Sequence, residues 1–215
     1  MNSVVTGAAA LPEDSSVLAT LRNLVPHRQL TVNETKRIAE LQANRLRLLF
    51  EIDGPAFPHE IIMDMPRIKV VFDADLPVSG SAHWNGHTWV IVLNALEGPT
   101  RQRFSLAHEF KHIIDHNIKH FLYRDGLDGS ANKQAEQIAD YFAGCLLMPK
   151  QHVKRLYYQG VQRPTELSEH FQVSARAVQF RLQQLGVVGD PARCSRFGGI
   201  RPIYYRNKSL AGALA

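Results

Sequence analysis

Cysteine is scarce, and its placement excludes one whole class of protein. The 215-residue chain has only two, Cys145 and Cys194, far apart and the first inside a predicted buried helix, so no disulfide framework holds the fold. That usage suits a reducing cytoplasm, the expected location. Long hydrophobic runs are also missing. The apolar stretch Val4 to Leu11 is short and has no basic residue before it, so neither a signal peptide nor a membrane span is expected, and no membrane partner. Repeats and low-complexity tracts are absent as well. Charge of one sign is not in large excess: 25 Lys and Arg stand against 20 Asp and Glu, a formal +5. A balance of that size permits contact with nucleic acid or an acidic partner and establishes neither. What remains, 45% hydrophobic and 21% charged residues, fits a globular chain with one substantial core.

Against this plain background one stretch carries chemistry: His108-Glu109-Phe110-Lys111-His112. Phe104, Ala107, Phe110, Ile113 and Ile114 recur at helical spacing, and Gly98-Pro99-Thr100 supplies a start, with Thr100 as N-cap or Pro99 in the first turn. His108 and His112 then lie one turn apart on one face. Two imidazoles so placed can bind one Zn²⁺, with Glu109 beside them to accept a proton from water on the metal. The bland alternative is a charged helix face with surface histidines.

Hydrolytic zinc usually has three protein ligands and one water. His116 and His120 continue the four-residue ladder, but a helix rises about 6 Å per four residues, so His116 stands about 12 Å along the axis from His108. Ligand atoms must each come within about 2 Å of the metal, so three rungs cannot converge and the third ligand belongs to another element. The segment from Ser130, a good N-cap, to the stop at Pro149 is the best donor. Ala135, Ile138, Ala139, Phe142, Ala143, Leu146 and Leu147 give it a broad apolar stripe. Glu136 and Asp140 sit one turn apart on its edge, a spacing that suits a ligand (Glu136) and an orienting acid (Asp140) accepting the outer N–H of a zinc-bound histidine. Two solvated acids on an amphipathic helix are the alternative.

HExxH followed by Glu136, Asp140-Tyr141-Phe142-Ala143 and Leu146-Leu147-Met148-Pro149, in that order, resembles the ImmA/IrrE family of zinc metallopeptidases over roughly residues 30 to 185. The ligand pattern is also similar to that of thermolysin-like zincins. The resemblance implies an α+β fold: a zincin-like metallopeptidase core, made of a small antiparallel sheet plus the HExxH and glutamate helices, with a C-terminal helix-turn-helix-like subdomain. It implies one Zn²⁺ per chain, although Mn²⁺ or Fe²⁺ suits a His₂Glu site too. It also implies a protein substrate, a helix-turn-helix transcriptional repressor whose cleavage releases stress or mobile-element genes; some members belong to toxin–antitoxin or phage-defence modules. In zinc peptidases of this type an edge strand receives the substrate as an extra strand. The second strand of the hairpin described next, ending at Asn94, is the candidate, with an ordinary buried strand as its alternative.

Residues 1–28 read as a tail with one short helix near Val17 to Leu24. Thr31 and Glu34 form a capping-box pattern for a helix whose apolar side is Ile38, Leu41, Ala43, Leu46, Leu49 and Phe50, stopped by Asp53-Gly54-Pro55. A short helix follows from Pro58 to Met63, then a strand over 67–72. Asn85-Gly86 between β-prone flanks predicts a hairpin with a type I′ turn, with His83 and His87 as surface histidines. Tyr123, Tyr141 and His120 are candidates for an oxyanion donor, and nothing chooses among them. The peptidase unit spans 29–160. In 161–189, Leu167, Phe171, Val173, Val178, Leu182 and Leu185 would pack two helices around a turn holding Gln172, with Ser174 capping the second. Arg176, Gln179 and Arg181 are then expected on its exposed face, suited to phosphates, base edges or a partner. Hence a second reading, a DNA-binding regulator with a structural or vestigial zinc site; DNA is the less favoured partner, and the alternative for this helix pair is a packing module that borders the substrate groove. Residues 190–215 read as an extension with one strand at Ile203 to Tyr205.

Overall fold

A computed structural model describes residues 16–126 and 129–187; Cys194 and the expected strand at Ile203 to Tyr205 lie outside them. The first described segment is not a tail. Helix α1 (Val17–Arg22) starts where Ser16 Oγ accepts from Ala19 N, and Leu21 and Val25 are buried in the main core. Arg22 donates to the carbonyls of Ile114 and Ile113 at 2.9 and 2.8 Å, satisfying helix-end acceptors that would otherwise need water.

Helix α2 (Val32–Leu49) has the expected capping box: Thr31 accepts from Glu34 N, and the Glu34 carboxylate accepts from Thr31 N. Its buried stripe runs through Thr35, Ile38, Ala39, Gln42, Ala43 and Leu46. Leu41 falls off that three- and four-residue stripe and is 52% exposed. The Arg28 guanidinium first, then Thr31, hold the Glu34 carboxyl at about 2 against an ordinary 4.5. Hydrogen bonds to the ionised form depress a carboxyl in this way. A depressed carboxyl contributes stability that is complete above about pH 4.5 and lost as pH falls through about 2, because the unfolded chain binds the proton first. The stability difference between wild type and Glu34→Gln, from urea melts, should therefore be constant near neutrality and shrink across that window. A difference independent of pH would contradict the assignment.

After the short helix α3 (Glu60–Met63) come β1 (Ile68–Asp73), β2 (Gly80–Trp84) and β3 (Trp89–Asn94). The sheet is mixed rather than antiparallel. Its order is β1-β3-β2, with β1 parallel and β2 antiparallel to β3. The strand ending at Asn94 is therefore central and cannot accept a further strand, which corrects its expected role. Its sequence explains why: Trp89-Val90-Ile91-Val92-Leu93 carries no charge, whereas β1 bears Lys69 and Asp73 and β2 bears His83, residues that tolerate an edge. The turn also differs from type I′. Gly86 has φ +99° while Asn85 is not left-handed. Instead Asn85 Oδ1 accepts from the backbone N–H of His87 and Thr88, an Asx turn that recentres the loop on Gly86–His87.

Helix α4 (Pro99–Asp115) begins at Gly98 with Pro99 in the first turn. Short α5 (Lys119–Leu122) leads to α6 (Ala131–Leu147), capped by Ser130 Oγ on Lys133 N. Helix α6 packs between α2 and α4, and α4 lies on β2 and β3; Phe110 and Phe142 meet at the α4–α6 contact, 6.4 Å between ring centroids. Pro149 ends α6 and precedes α7 (Lys150–Tyr158). Two more helices follow, α8 (Pro164–Phe171) and α9 (Ala175–Gln184). Gln172 takes the left-handed conformation between them, φ 53° and ψ 46°, the geometry a glycine would adopt more cheaply. Leu167, Phe171, Val173, Val178 and Leu182 are buried between the pair and the core.

Candidate metal centre

Helices α4 and α6 run antiparallel, so that His112 meets Glu136 and His108 meets both Glu136 and Asp140. The two Nε2 atoms of His108 and His112 are 3.1 Å apart. Glu136 Oε2 lies 3.2 Å from His108 Nε2, and its Oε1 lies 3.2 Å from His112 Nε2. Asp140 Oδ1 lies 2.9 Å from His108 Nδ1. The sequence pattern thus brought four of the expected residues to one spot, and His116 and His120 stand apart from it, exposed at the helix end. His116 packs edge-on against Trp89, 4.8 Å between centroids.

The donor chemistry fits a cation. A carboxylate can only accept, so the Asp140 contact puts the proton of a neutral His108 on Nδ1 and a lone pair on Nε2. That lone pair faces a carboxylate and a second imidazole nitrogen, and the three ligand atoms all lie within 4.8 Å of one another. Three electron-pair donors turned toward one point repel unless a positive charge, a proton or a metal ion, sits among them. Two imidazoles and one carboxylate could hold zinc, with an open position for water. The titration of His108 points the same way: burial alone would lower it, but Asp140, Glu109 and Glu136 together raise it, so this position favours positive charge. His112 is lowered by burial and by the neighbouring His108 charge.

Glu109 is buried, and burial, reinforced by Glu136, raises its carboxyl. A feature of its setting escaped sequence reading. Gly80, first residue of edge strand β2, approaches so closely that a Cβ there would sit 3.1 Å from Glu109 Cγ and 3.2 Å from Oε1. The absence of a side chain at 80 is what gives Glu109 its room. In sequence Gly80 reads as ordinary loop punctuation after Pro77-Val78-Ser79.

Other expected roles are redistributed. Tyr123 is buried and its hydroxyl donates to Asp115 Oδ2 at 2.5 Å; Tyr141 donates to Glu40 at 3.4 Å, and His120 packs on the Phe121 ring. Arg181, expected on an exposed face, is 2% exposed. Its Nε donates to the Met148 carbonyl and its Nη1 to Gln184 Oε1, both at 3.1 Å. It belongs to the inward stripe with Val178 and Leu182, and it caps the end of α6 instead of meeting a ligand. Arg176 and Gln179 are exposed as expected.

A mixed α+β core with two histidines and a glutamate on antiparallel helices is the setting in which comparison with known proteins becomes informative. The family model Peptidase_M78, IrrE N-terminal-like domain, matches residues 64–183. The chain belongs to that family, which is metallopeptidase-like. A solved Mycobacterium tuberculosis transcriptional regulator superposes with a TM-score of 0.51 at 18% identity, over 82% of this chain and 53% of that one. The chain therefore spans about half the length of that protein, and the likeness is one of fold. No curated protein matches. Among the described residues no helix is long and apolar enough to cross a membrane.

Proposed function

We propose that the chain is a zinc-dependent endopeptidase, gluzincin-like in its ligands, which cuts a peptide bond in a protein substrate. The convergence of His108 Nε2, His112 Nε2 and a Glu136 oxygen within 4.8 Å carries this reading, and family membership supports it. His108, His112 and Glu136 hold the metal, and Asp140 orients His108 through Nδ1. A zinc ion held there would supply Lewis acidity, lowering the pKa of bound water and polarising a carbonyl. Glu109 accepts the proton of the attacking water and delivers it to the leaving amine nitrogen. The substrate we infer is a helix-turn-helix transcriptional repressor, the class that the family resemblance implies, cleaved in the cytoplasm to switch on stress or mobile-element genes. Arg176 and Gln179 remain exposed on α9 and would be the DNA contacts of a regulator, but the burial of Arg181 removes the third of that set.

Elemental analysis of wild type and Glu136→Ala, both purified without added metal, tests the ligand set. Wild type should carry about one zinc per chain and the variant close to none, since two histidines alone make an incomplete site. Wild type that takes up no metal even when zinc is offered would end the peptidase reading.

A further inference from the structure

The valley between α4 and α6 does not stop at the metal centre. On α4 the face that bears His112 and His108 continues, one turn at a time, through Phe104 to Thr100. On antiparallel α6 the matching face continues from Glu136 and Asp140 through Gly144 to Met148. These two faces form the floor and one side of a groove of about 870 Å³, which Asp140 joins to the centre and α9 closes on the far side. Gly144 is buried in that floor beside α9, where a Cβ would come to ordinary contact distance of Arg181 and Gln184, 3.8 and 3.9 Å. Apolar surface comes from half-buried Phe104 and from Phe180, a phenylalanine left 60% exposed on a helix whose other apolar residues are packed. Cationic surface comes from Arg176, one turn before Phe180 on the same face, exposed and without an acidic partner among the described ion pairs, and from Arg101 on α4, whose guanidinium is 3.7 Å from Glu97.

Resting on the peptidase reading, we infer that this groove is a substrate subsite which selects a large apolar side chain flanked by a carboxylate. The apolar residue lies against Phe104 and Phe180, and the acid pairs with Arg176. Continuity with the centre through Asp140 makes the occupant the same polypeptide that is cut, and the arginine at the rim gives its charge. The scale is also right. From Asp140 to Met148 is about 12 Å of helix, the length of about four residues of extended chain, so the selected pair lies two to four residues from the scissile bond. Arg176 and Gln179 then face a peptide groove, and α9 serves as a wall of the protease cleft rather than as a DNA reader.

The test uses a positional-scanning library of fluorescein-labelled octapeptides, cut by the zinc-loaded full chain and sequenced by mass spectrometry. Binding of the same peptides to the Glu109→Gln chain is measured by fluorescence polarisation. Wild type should favour Phe, Leu or Met next to Asp or Glu, at a fixed offset from the cut. Phe180→Ser should erase the apolar preference. Arg176→Glu should invert the acidic one by tenfold or more, as like charges meet across a contact where opposite ones did. Both variants should keep the wild-type zinc content and circular dichroism spectrum. Selective cleavage that neither variant changes would overturn the subsite and leave the peptidase standing. No cleavage of any peptide by zinc-loaded wild type would remove both. Loss of binding to a double-stranded DNA probe in Arg176→Glu, with peptide selectivity intact, would overturn it in favour of a DNA surface.

Discussion

Glu109→Gln protein, loaded with zinc, will hold the same one metal per chain as wild type and cut its substrate at least about 10²-fold and up to about 10⁴-fold more slowly, the range a single general base contributes. Both halves follow from geometry. The variant leaves His108, His112 and Glu136 with their ligand atoms in place, and it is nearly isosteric. It also removes one of the charges that crowd Glu136, whose proximity raises the Glu109 carboxyl. Metal retention is therefore expected. The amide, however, has no basic oxygen with which to take a proton from water or return it to the amine nitrogen. Initial rates and zinc content measured on the same preparation check the pair of statements. A variant that cuts at the wild-type rate would show that another group moves the proton, and a variant that loses its zinc would show that Glu109 supports the ligands.

The helices that hold the centre were legible because their signals are local. Thr31 with Glu34, Ser130 and Pro99 mark starts by capping chemistry that needs only three or four residues, and the stripes of α4 and α6 repeat at one period. The cluster was legible because helix geometry alone forbids His116 as a partner and leaves an acid one turn from another acid as the natural donor. What failed was long-range. Strand order depends on which segment is least charged among three, and a hairpin signal says nothing of the third strand, so β1 was not expected beside β3. Arg181 reads as solvent-facing because it is charged, yet its position between Val178 and Leu182 puts it on the inward stripe, where the carbonyl of Met148 satisfies it. Lys111 follows the same rule. It lies inside the motif and looks like surface, but Ala107, Phe110, Lys111 and Ile114 share the buried stripe of α4.

Replacing Asp115 with Ala should cost about 3–5 kcal/mol, the usual penalty for leaving a buried charge without its partner. Lys111 is fully buried, its ammonium 2.5 Å from Asp115 Oδ1, and Tyr123 donates to the other carboxylate oxygen. Burial lowers Lys111, and the Asp115 carboxylate opposes that shift; with Asp115 gone, only the Phe142 ring, 5.9 Å from the nitrogen, still favours the cation. A domain with a total stability of about 5–15 kcal/mol has little margin for such a loss. Urea melts should show a lower midpoint with an unchanged slope. The triple change Lys111→Met, Asp115→Leu and Tyr123→Phe removes every member of the set together and should cost far less than Asp115→Ala alone, because no polar group is then stranded. A single-variant cost below about 1 kcal/mol would mean that water reaches Lys111. The stakes extend to the metal centre. Lys111 and Asp115 flank His112 on the core-facing side of the same stretch of α4, Asp115 about one turn on from it, and Tyr123 ties that turn to the segment leading into α6. A carboxylate on the hidden side of α4 thus fixes the helix against which Glu136 must close, and Asp115→Ala should weaken zinc retention without touching a ligand.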